Sequence, residues 1–137
     1  MSRLFAMPRF RASVLSALMG AILLFSCAGC GQRGNPHPVN PVKARELLKT
    51  TMDAWKSGKK PEEMPLGEPP IVVQDFDWMQ GKKLTNYVVT PQDAETGANL
   101  TCQVTLHLED SDGNVEEKAV YFVVGTSPKY SVFRDAR

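Results

Sequence analysis

The feature that most constrains the fold is a strict two-residue alternation from Asn99 to Glu109. Every second side chain is apolar and its neighbours are polar, which is typical of a β-strand with one buried and one wet face. The turn-forming residues 110–114 follow, and residues 115–124 return as a partner strand. Because the apolar face of such a sheet must be covered, another part of the chain has to supply the cover.

Residues 41–57 are predicted to form the helix that covers this sheet. Asn40 is a preferred N-cap residue, Pro41 suits the first helical position, and Gly58 ends the pattern. Further strand-like segments are residues 71–76, 84–90 and 129–133. The sequence therefore predicts an α+β domain, in which one amphipathic N-terminal helix packs on a four- or five-stranded antiparallel sheet. The stripe of the helix that faces the sheet consists of Ala44, Leu47, Leu48, Thr51, Met52 and Trp55.

The first 29 residues are predicted to be a secretory leader and not part of the fold. Arg3, Arg9 and Arg11 precede an uncharged, mostly apolar stretch, residues 12–26, and small residues follow it. Residues 30–39 contain glycines and prolines and few apolar side chains, so they are predicted to be a flexible tether. Residues 40–137 then remain as one small domain.

The end of the leader, Ala28-Gly29-Cys30, resembles the lipobox of bacterial lipoproteins. The resemblance implies that the Cys30 thiol receives diacylglycerol, that the chain is cleaved before Cys30, and that the new amino terminus is acylated. Cys27 is the alternative site, because Leu24 stands three positions before it. Neither cysteine is followed by aspartate, which in that family implies retention in the outer membrane, facing the periplasm. An uncleaved membrane helix remains the other interpretation of this uncharged stretch.

Charge argues against nucleic acid as a partner. Of 16 basic residues, three belong to the leader, which leaves 13 against 15 acidic residues and a net charge of −2. The pairs Lys59-Lys60 and Lys82-Lys83 are isolated and flanked by acidic residues, so we expect them in solvated turns.

No cofactor and no metal site is predicted. His37 stands in the tether without other ligand residues at metal-binding spacing. Residues 110–114 begin like a calcium loop, but the glycine comes fourth and Tyr121 takes the place of the chelating glutamate. Cys102 lies in the alternating strand, where we expect it to be a small buried side chain.

The order of elements, together with the helix ending Ala54-Trp55-Lys56-Ser57-Gly58, resembles the cystatin-like and nuclear-transport-factor-2-like superfamily. The resemblance implies a curved antiparallel sheet that wraps a helix. Residues 103–107 lack the spacing and the glycine of the cystatin inhibitory hairpin, so the resemblance does not imply protease inhibition.

We therefore expect a non-enzymatic domain that is anchored to the membrane by lipid and binds a protein partner or a small apolar ligand. Aromatic residues that are not needed in the core are expected to form the binding patch. The alternative is a small enzyme, isomerase- or dehydratase-like, with a cleft between helix and sheet. Its base would be Asp75 or Asp77, about 7 Å apart on one face of a continued strand, with Tyr87 as hydrogen-bond donor and His107 in support.

Overall fold

The computed structural model describes residues 37–65 and 68–137. The leader, both candidate lipidation sites, Cys27 and Cys30, and most of the tether lie outside these residues. Within the part of the chain that is described, none of the helices has the length and apolar character needed to cross a membrane.

Helix α1 spans Pro41–Lys56, one residue shorter than predicted. The Asn40 side chain accepts a hydrogen bond from the Lys43 N–H at 3.0 Å, so Asn40 is the N-cap that the sequence predicts. The predicted apolar stripe is buried along its whole length. Packing of this stripe, more than helix propensity, holds the helix in place.

Five strands form one sheet: β1, Ile71–Gln74; β2, Lys83–Thr96; β3, Asn99–Glu109; β4, Val115–Gly125; and β5, Tyr130–Arg134. Their spatial order is β1-β5-β4-β3-β2. The pairs β2–β3, β3–β4 and β4–β5 are antiparallel, and α1 packs on one face of the sheet. The α+β class with an N-terminal helix on this sheet is confirmed, and β3 has the bounds that the alternation predicts.

The structure differs from the prediction in several places. The strand predicted over residues 84–90 is longer, because β2 continues to Thr96, and Val39, predicted to belong to the tether, is buried in the core. The strand predicted over residues 71–76 ends at Gln74, because Asp75 caps a short helix, α2, which spans Phe76–Met79. Asp75 and Asp77 therefore do not share a strand face. Moreover, β1 pairs with β5 in parallel, so the sheet is mixed and not purely antiparallel.

The core fills the space between α1 and the sheet, and Val39 belongs to it. Val39 is buried, its N–H donates to the Gly97 carbonyl at 3.4 Å, and the Asn40 N–H donates to Thr126 Oγ1 at 3.0 Å. We call the end of the domain marked by Val39, Gly97 and Thr126 the tether end. The fully buried sheet residues facing α1 are Leu100, Val104, Leu106, Leu108, Phe122, Val124 and Val132.

Candidate functional site

A cleft of about 540 Å³ opens where α1 ends, at the opposite end of that helix from the tether end. Its walls come from three segments: the last turn of α1 and the residues after it, helix α2 with its following turn, and the start of β2. The lining residues are Trp55, Lys56, Ser57, Gly58, Lys59, Lys60, Pro61, Trp78, Gly81, Lys82, Lys83, Leu84 and Thr85.

The floor of the cleft is a stacked pair of tryptophans. The rings of Trp55 and Trp78 lie 5.2 Å apart and are tilted by only 8°. Trp55 Nε1 donates to the Lys82 carbonyl at 2.9 Å, and Trp78 Nε1 donates to the Lys59 carbonyl at 2.8 Å. The Trp55 indole thus binds the backbone just after Trp78, and the Trp78 indole binds the backbone just after Trp55. These reciprocal hydrogen bonds hold both segments in place.

Two copies of one short motif produce this arrangement. Residues 55–60 read Trp-Lys-Ser-Gly-Lys-Lys and residues 78–83 read Trp-Met-Gln-Gly-Lys-Lys, so both follow the pattern Trp-x-x-Gly-Lys-Lys. We call these the first and the second copy. In each copy, the tryptophan lies in the last turn of a helix. The lysine directly after the glycine, Lys59 or Lys82, supplies the carbonyl that accepts the indole N–H of the other tryptophan.

Both copies end their helix in the same way. Gly58 and Gly81 have φ angles of 84° and 85°, the left-handed conformation that glycine adopts without a Cβ penalty. The N–H of each glycine donates to the carbonyl of its own tryptophan, and the next N–H donates to the residue before the tryptophan. This is the Schellman pattern of helix ends, used twice.

A cluster of charged side chains holds α2 against the sheet. Asp75 Oδ1 accepts the Trp78 N–H at 2.9 Å, and Arg134 Nη2 lies 2.6 Å from Asp75 Oδ2 and 3.0 Å from Asp77 Oδ2. Lys118 Nζ lies 2.7 Å from Asp77 Oδ2, and Lys82 Nζ lies 2.9 Å from Asp77 Oδ1. Because Asp75 caps the helix that carries Trp78, this cluster also positions the floor of the cleft.

The two carboxylates of the cluster have opposite pKa shifts. Burial raises the pKa of Asp75, although the Trp78 N–H and Arg134 oppose it. Burial acts on Asp77 too, but hydrogen bonds from Lys118 and Lys82 and the nearby positive charges outweigh it and lower the pKa of Asp77 to about 2. Both carboxylates are almost fully enclosed and engaged with cations.

The structure does not bring the residues of the enzyme hypothesis together. Tyr87 faces α1, where its hydroxyl donates to Asp53 Oδ1 at 2.7 Å. His107 faces away from the helix, because its neighbour Leu106 is buried against the helix, and His107 Nδ1 lies 3.2 Å from a Glu117 carboxylate oxygen. Asp75, which lies in the ion cluster under α2, contacts neither residue.

Cys102 is buried and unbridged, as expected, and burial raises the pKa of its thiol to about 11. Among the residues described, no group of three or more histidine, cysteine or acidic side chains is arranged to hold a metal ion. Of the aromatic residues in the sheet region, Trp78 and Phe122 are in the core, whereas Phe76, Tyr121 and Phe133 are exposed.

Sequence reasoning missed the cleft. It placed Lys59-Lys60 and Lys82-Lys83 in solvated turns, and both pairs do follow helix-ending glycines, but both also line the cleft. The signal that would have found the site is the repeated motif, in which the two tryptophans of the chain recur with identical glycine and lysine spacing.

Comparison with protein-family models, with curated proteins and with solved structures finds no match for this chain. Its resemblance to bacterial lipoproteins and to the cystatin-like and nuclear-transport-factor-2-like superfamily therefore stays a prediction.

Proposed function

We propose that this protein is an exported, lipid-anchored, non-enzymatic binding domain that presents the tryptophan cleft to the periplasm from the outer membrane. The anchor is the acylated Cys30, with Cys27 as the alternative. The observation that carries the proposal is the position of the cleft at the end of α1 opposite the tether end.

The geometry suits a binding site that is held out from a membrane. Helix α1 has 16 residues, and at 1.5 Å per residue its axis is ~24 Å long. The tether joins the domain at Val39, beside the start of α1. Nine residue steps separate Cys30 from Val39, a reach of at most ~30 Å. An anchor at Cys30 therefore keeps the domain near the bilayer and attaches it by the end that lacks the cleft.

Intact mass of the protein from the membrane fraction tests the anchor, and the two candidate cysteines provide a matched pair of variants. The mature chain is expected to begin at Cys30 and to carry three acyl chains, and globomycin is expected to block its cleavage. Cys30→Ser should abolish acylation, whereas Cys27→Ser should leave it intact. An unacylated full-length mass that is insensitive to globomycin would refute the proposal.

The orientation of the domain has its own test. Single cysteines that carry a fluorophore are placed at Lys59, on the cleft, and at Thr126, on the tether end, in protein reconstituted into vesicles. A quencher attached to the lipid headgroups should quench the label at Thr126 more strongly. Equal quenching, or stronger quenching at Lys59, would contradict the proposed orientation.

A further inference from the structure

We propose that the cleft binds a small anionic molecule through its phosphate or carboxylate groups, with Lys59 and Lys60 as the residues that hold the anion above the Trp55–Trp78 floor. This inference rests on the proposed binding function and names the class of ligand.

The first argument is the charge of the walls. Five lysines line the cleft, and no acidic residue is among its lining residues. Its volume lies in the range of roughly 300–1,000 Å³ that is usual for small-molecule sites. Lys82 and Lys83 pair with carboxylates outside the lining, so Lys56, Lys59 and Lys60 carry the net positive charge of the walls, which concentrates anionic ligands in a concave site.

The second argument compares the two copies of the motif. In the second copy both lysines already pair with carboxylates of the domain: Lys82 Nζ lies 3.0 Å from Glu116 as well as 2.9 Å from Asp77, and Lys83 Nζ lies 3.5 Å from Glu109. In the first copy, the side chains of Lys59 and Lys60 have no carboxylate partner within the described part of the chain. The lysines of the second copy are therefore neutralised by carboxylates of the domain, whereas Lys59 and Lys60 of the first copy keep their positive charge exposed to solvent.

The backbone of the first copy is held rigidly although its lysine side chains are exposed. The Lys59 carbonyl accepts the Trp78 indole N–H, and the Lys60 N–H donates to Glu63 Oε2 at 2.6 Å. The Glu63 carboxylate is therefore directed at the backbone of Lys60. Both side chains therefore extend toward the cleft from backbone positions that these hydrogen bonds fix.

The anionic group of the ligand has two sources, a free metabolite or a lipid headgroup, and the chemistry of recognition is the same for both. The position of the cleft away from the tether end favours the free ligand, because the bilayer is then on the other side of the domain.

The test uses the full protein as isolated from membranes, reconstituted in neutral phosphatidylcholine vesicles. Both tryptophans of the chain form the floor of the cleft, so tryptophan fluorescence reports on this site. Three probes are titrated: inorganic pyrophosphate, citrate, and separate vesicles of phosphatidylglycerol. The double variant Lys59→Gln/Lys60→Gln removes two charges without touching the indole hydrogen bonds, which use backbone carbonyls. Its control is Lys49→Gln/Lys129→Gln, which removes two charges outside the cleft.

We expect pyrophosphate or citrate to change the fluorescence, and Kd to rise about tenfold in the Lys59/Lys60 variant, since each exposed charge contact contributes modestly. The control should change Kd less than twofold, and added salt should weaken binding. If only the phosphatidylglycerol vesicles change the fluorescence, and the Lys59/Lys60 variant loses that response, the result supports the same site with a lipid headgroup as its ligand. No response to any probe, or equal weakening in both double variants, would overturn the inference. Such a failure leaves the intact-mass result unaffected, so the anchor and the ligand class are judged separately.

Discussion

Replacing Arg134 by methionine isolates the energetics of the ion cluster under α2. Methionine preserves much of the aliphatic stem and removes the guanidinium that lies between Asp75 and Asp77. The side chains of Arg134, Asp75 and Asp77 are 16 %, 0 % and 6 % exposed. Asp77 keeps Lys82 and Lys118, but within the described residues Asp75 has no other cation in ion-pair contact. The substitution therefore leaves one buried carboxylate without a counter-charge.

Removing one partner of a buried ion pair typically destabilises a protein by about 3–5 kcal/mol. Because the Trp78 N–H still donates to Asp75, we expect the lower end, about 3 kcal/mol, for Arg134→Met. In a domain of about 100 residues, this corresponds to a fall in Tm of roughly 12 °C or more.

Urea unfolding, followed by tryptophan fluorescence and circular dichroism at pH 4 and pH 7, measures this loss. Burial already raises the pKa of Asp75, and the loss of Arg134 raises it further. A group with a raised folded-state pKa stabilises the fold below its unfolded pKa, and this contribution is lost as pH rises. The deficit of the variant should therefore be smaller at pH 4 than at pH 7.

Asp75→Asn provides the companion variant, because asparagine keeps an oxygen for the helix cap and has no charge. The double variant should be more stable than the sum of the two single effects predicts, by at least about 1 kcal/mol. A deficit below about 1 kcal/mol for Arg134→Met, equal at both pH values and additive with Asp75→Asn, would refute this account of the cluster.

Four further predictions concern single residues. The folded-state pKa of Asp77 is about 2, so its contribution to stability is present above its unfolded pKa and is lost as pH falls from about 4 to about 2. The free energy of unfolding of Asp77→Asn in urea should therefore depend less on pH over this range than that of the wild type. An equal pH dependence of the two proteins would contradict the lowered pKa. The Cys102 thiol is buried and its pKa is about 11, so it should react with a thiol reagent at pH 8 only after the protein unfolds. Cys102→Ala is the control for reaction at other sites. Rapid reaction of the folded wild-type protein would contradict the burial of this thiol. Leu106→Ala should destabilise the domain by about 2–5 kcal/mol in urea unfolding, and a loss below about 1 kcal/mol would contradict its place in the core. Burial and the hydrogen bond to Asp53 raise the pKa of Tyr87 to about 12. Tyr87→Phe should therefore remove the highest-pH step of an ultraviolet titration of the tyrosines. If that step remained, it would belong to another tyrosine and the raised pKa of Tyr87 would be refuted.

Helix α1 and strands β3 and β4 were predictable because their signals are local, whereas β2 continues six residues beyond the predicted segment 84–90. The apolar stripe of α1 and the alternation in β3 depend on side chains two to four positions apart, and the cap at Asn40 acts over three residues. The observed elements agree with these patterns because burial of one apolar face is the dominant stabilising contribution to both the helix and the strand.

The start of the sheet was not predictable in the same way. The segment Gln74-Asp75-Phe76 continues the extended pattern in sequence, but Asp75 accepts the Trp78 N–H and ends the strand. The parallel partner of β1 lies 59 residues further along the chain, since Ile71 pairs with Tyr130. No short-range pattern specifies such a pairing.

The cleft was only partly predictable from the sequence. Its geometry depends on contacts between Trp55 and Lys82 and between Trp78 and Lys59, which sequence separation conceals. The repeat of Trp-x-x-Gly-Lys-Lys was visible, but the single lysine pairs suggested only solvent-exposed turns. The signal lies in the identity of the two segments with each other, not in either segment with its surroundings.

The parallel pairing of β1 with β5 has a consequence for biosynthesis. A chain that emerges amino end first from a ribosome exposes β1 long before residues 130–134 have appeared. Among the described residues, β5 is the strand that pairs with β1 in the finished sheet, and Arg134 at its end is the cation for Asp75. During synthesis the β1 segment therefore lacks its partner in this sheet, and Asp75 lacks the Arg134 counter-charge, until residues 130–134 have left the ribosome. The edge of the sheet at β1 is thus completed late, whereas β2, β3 and β4 are already available to pair with one another.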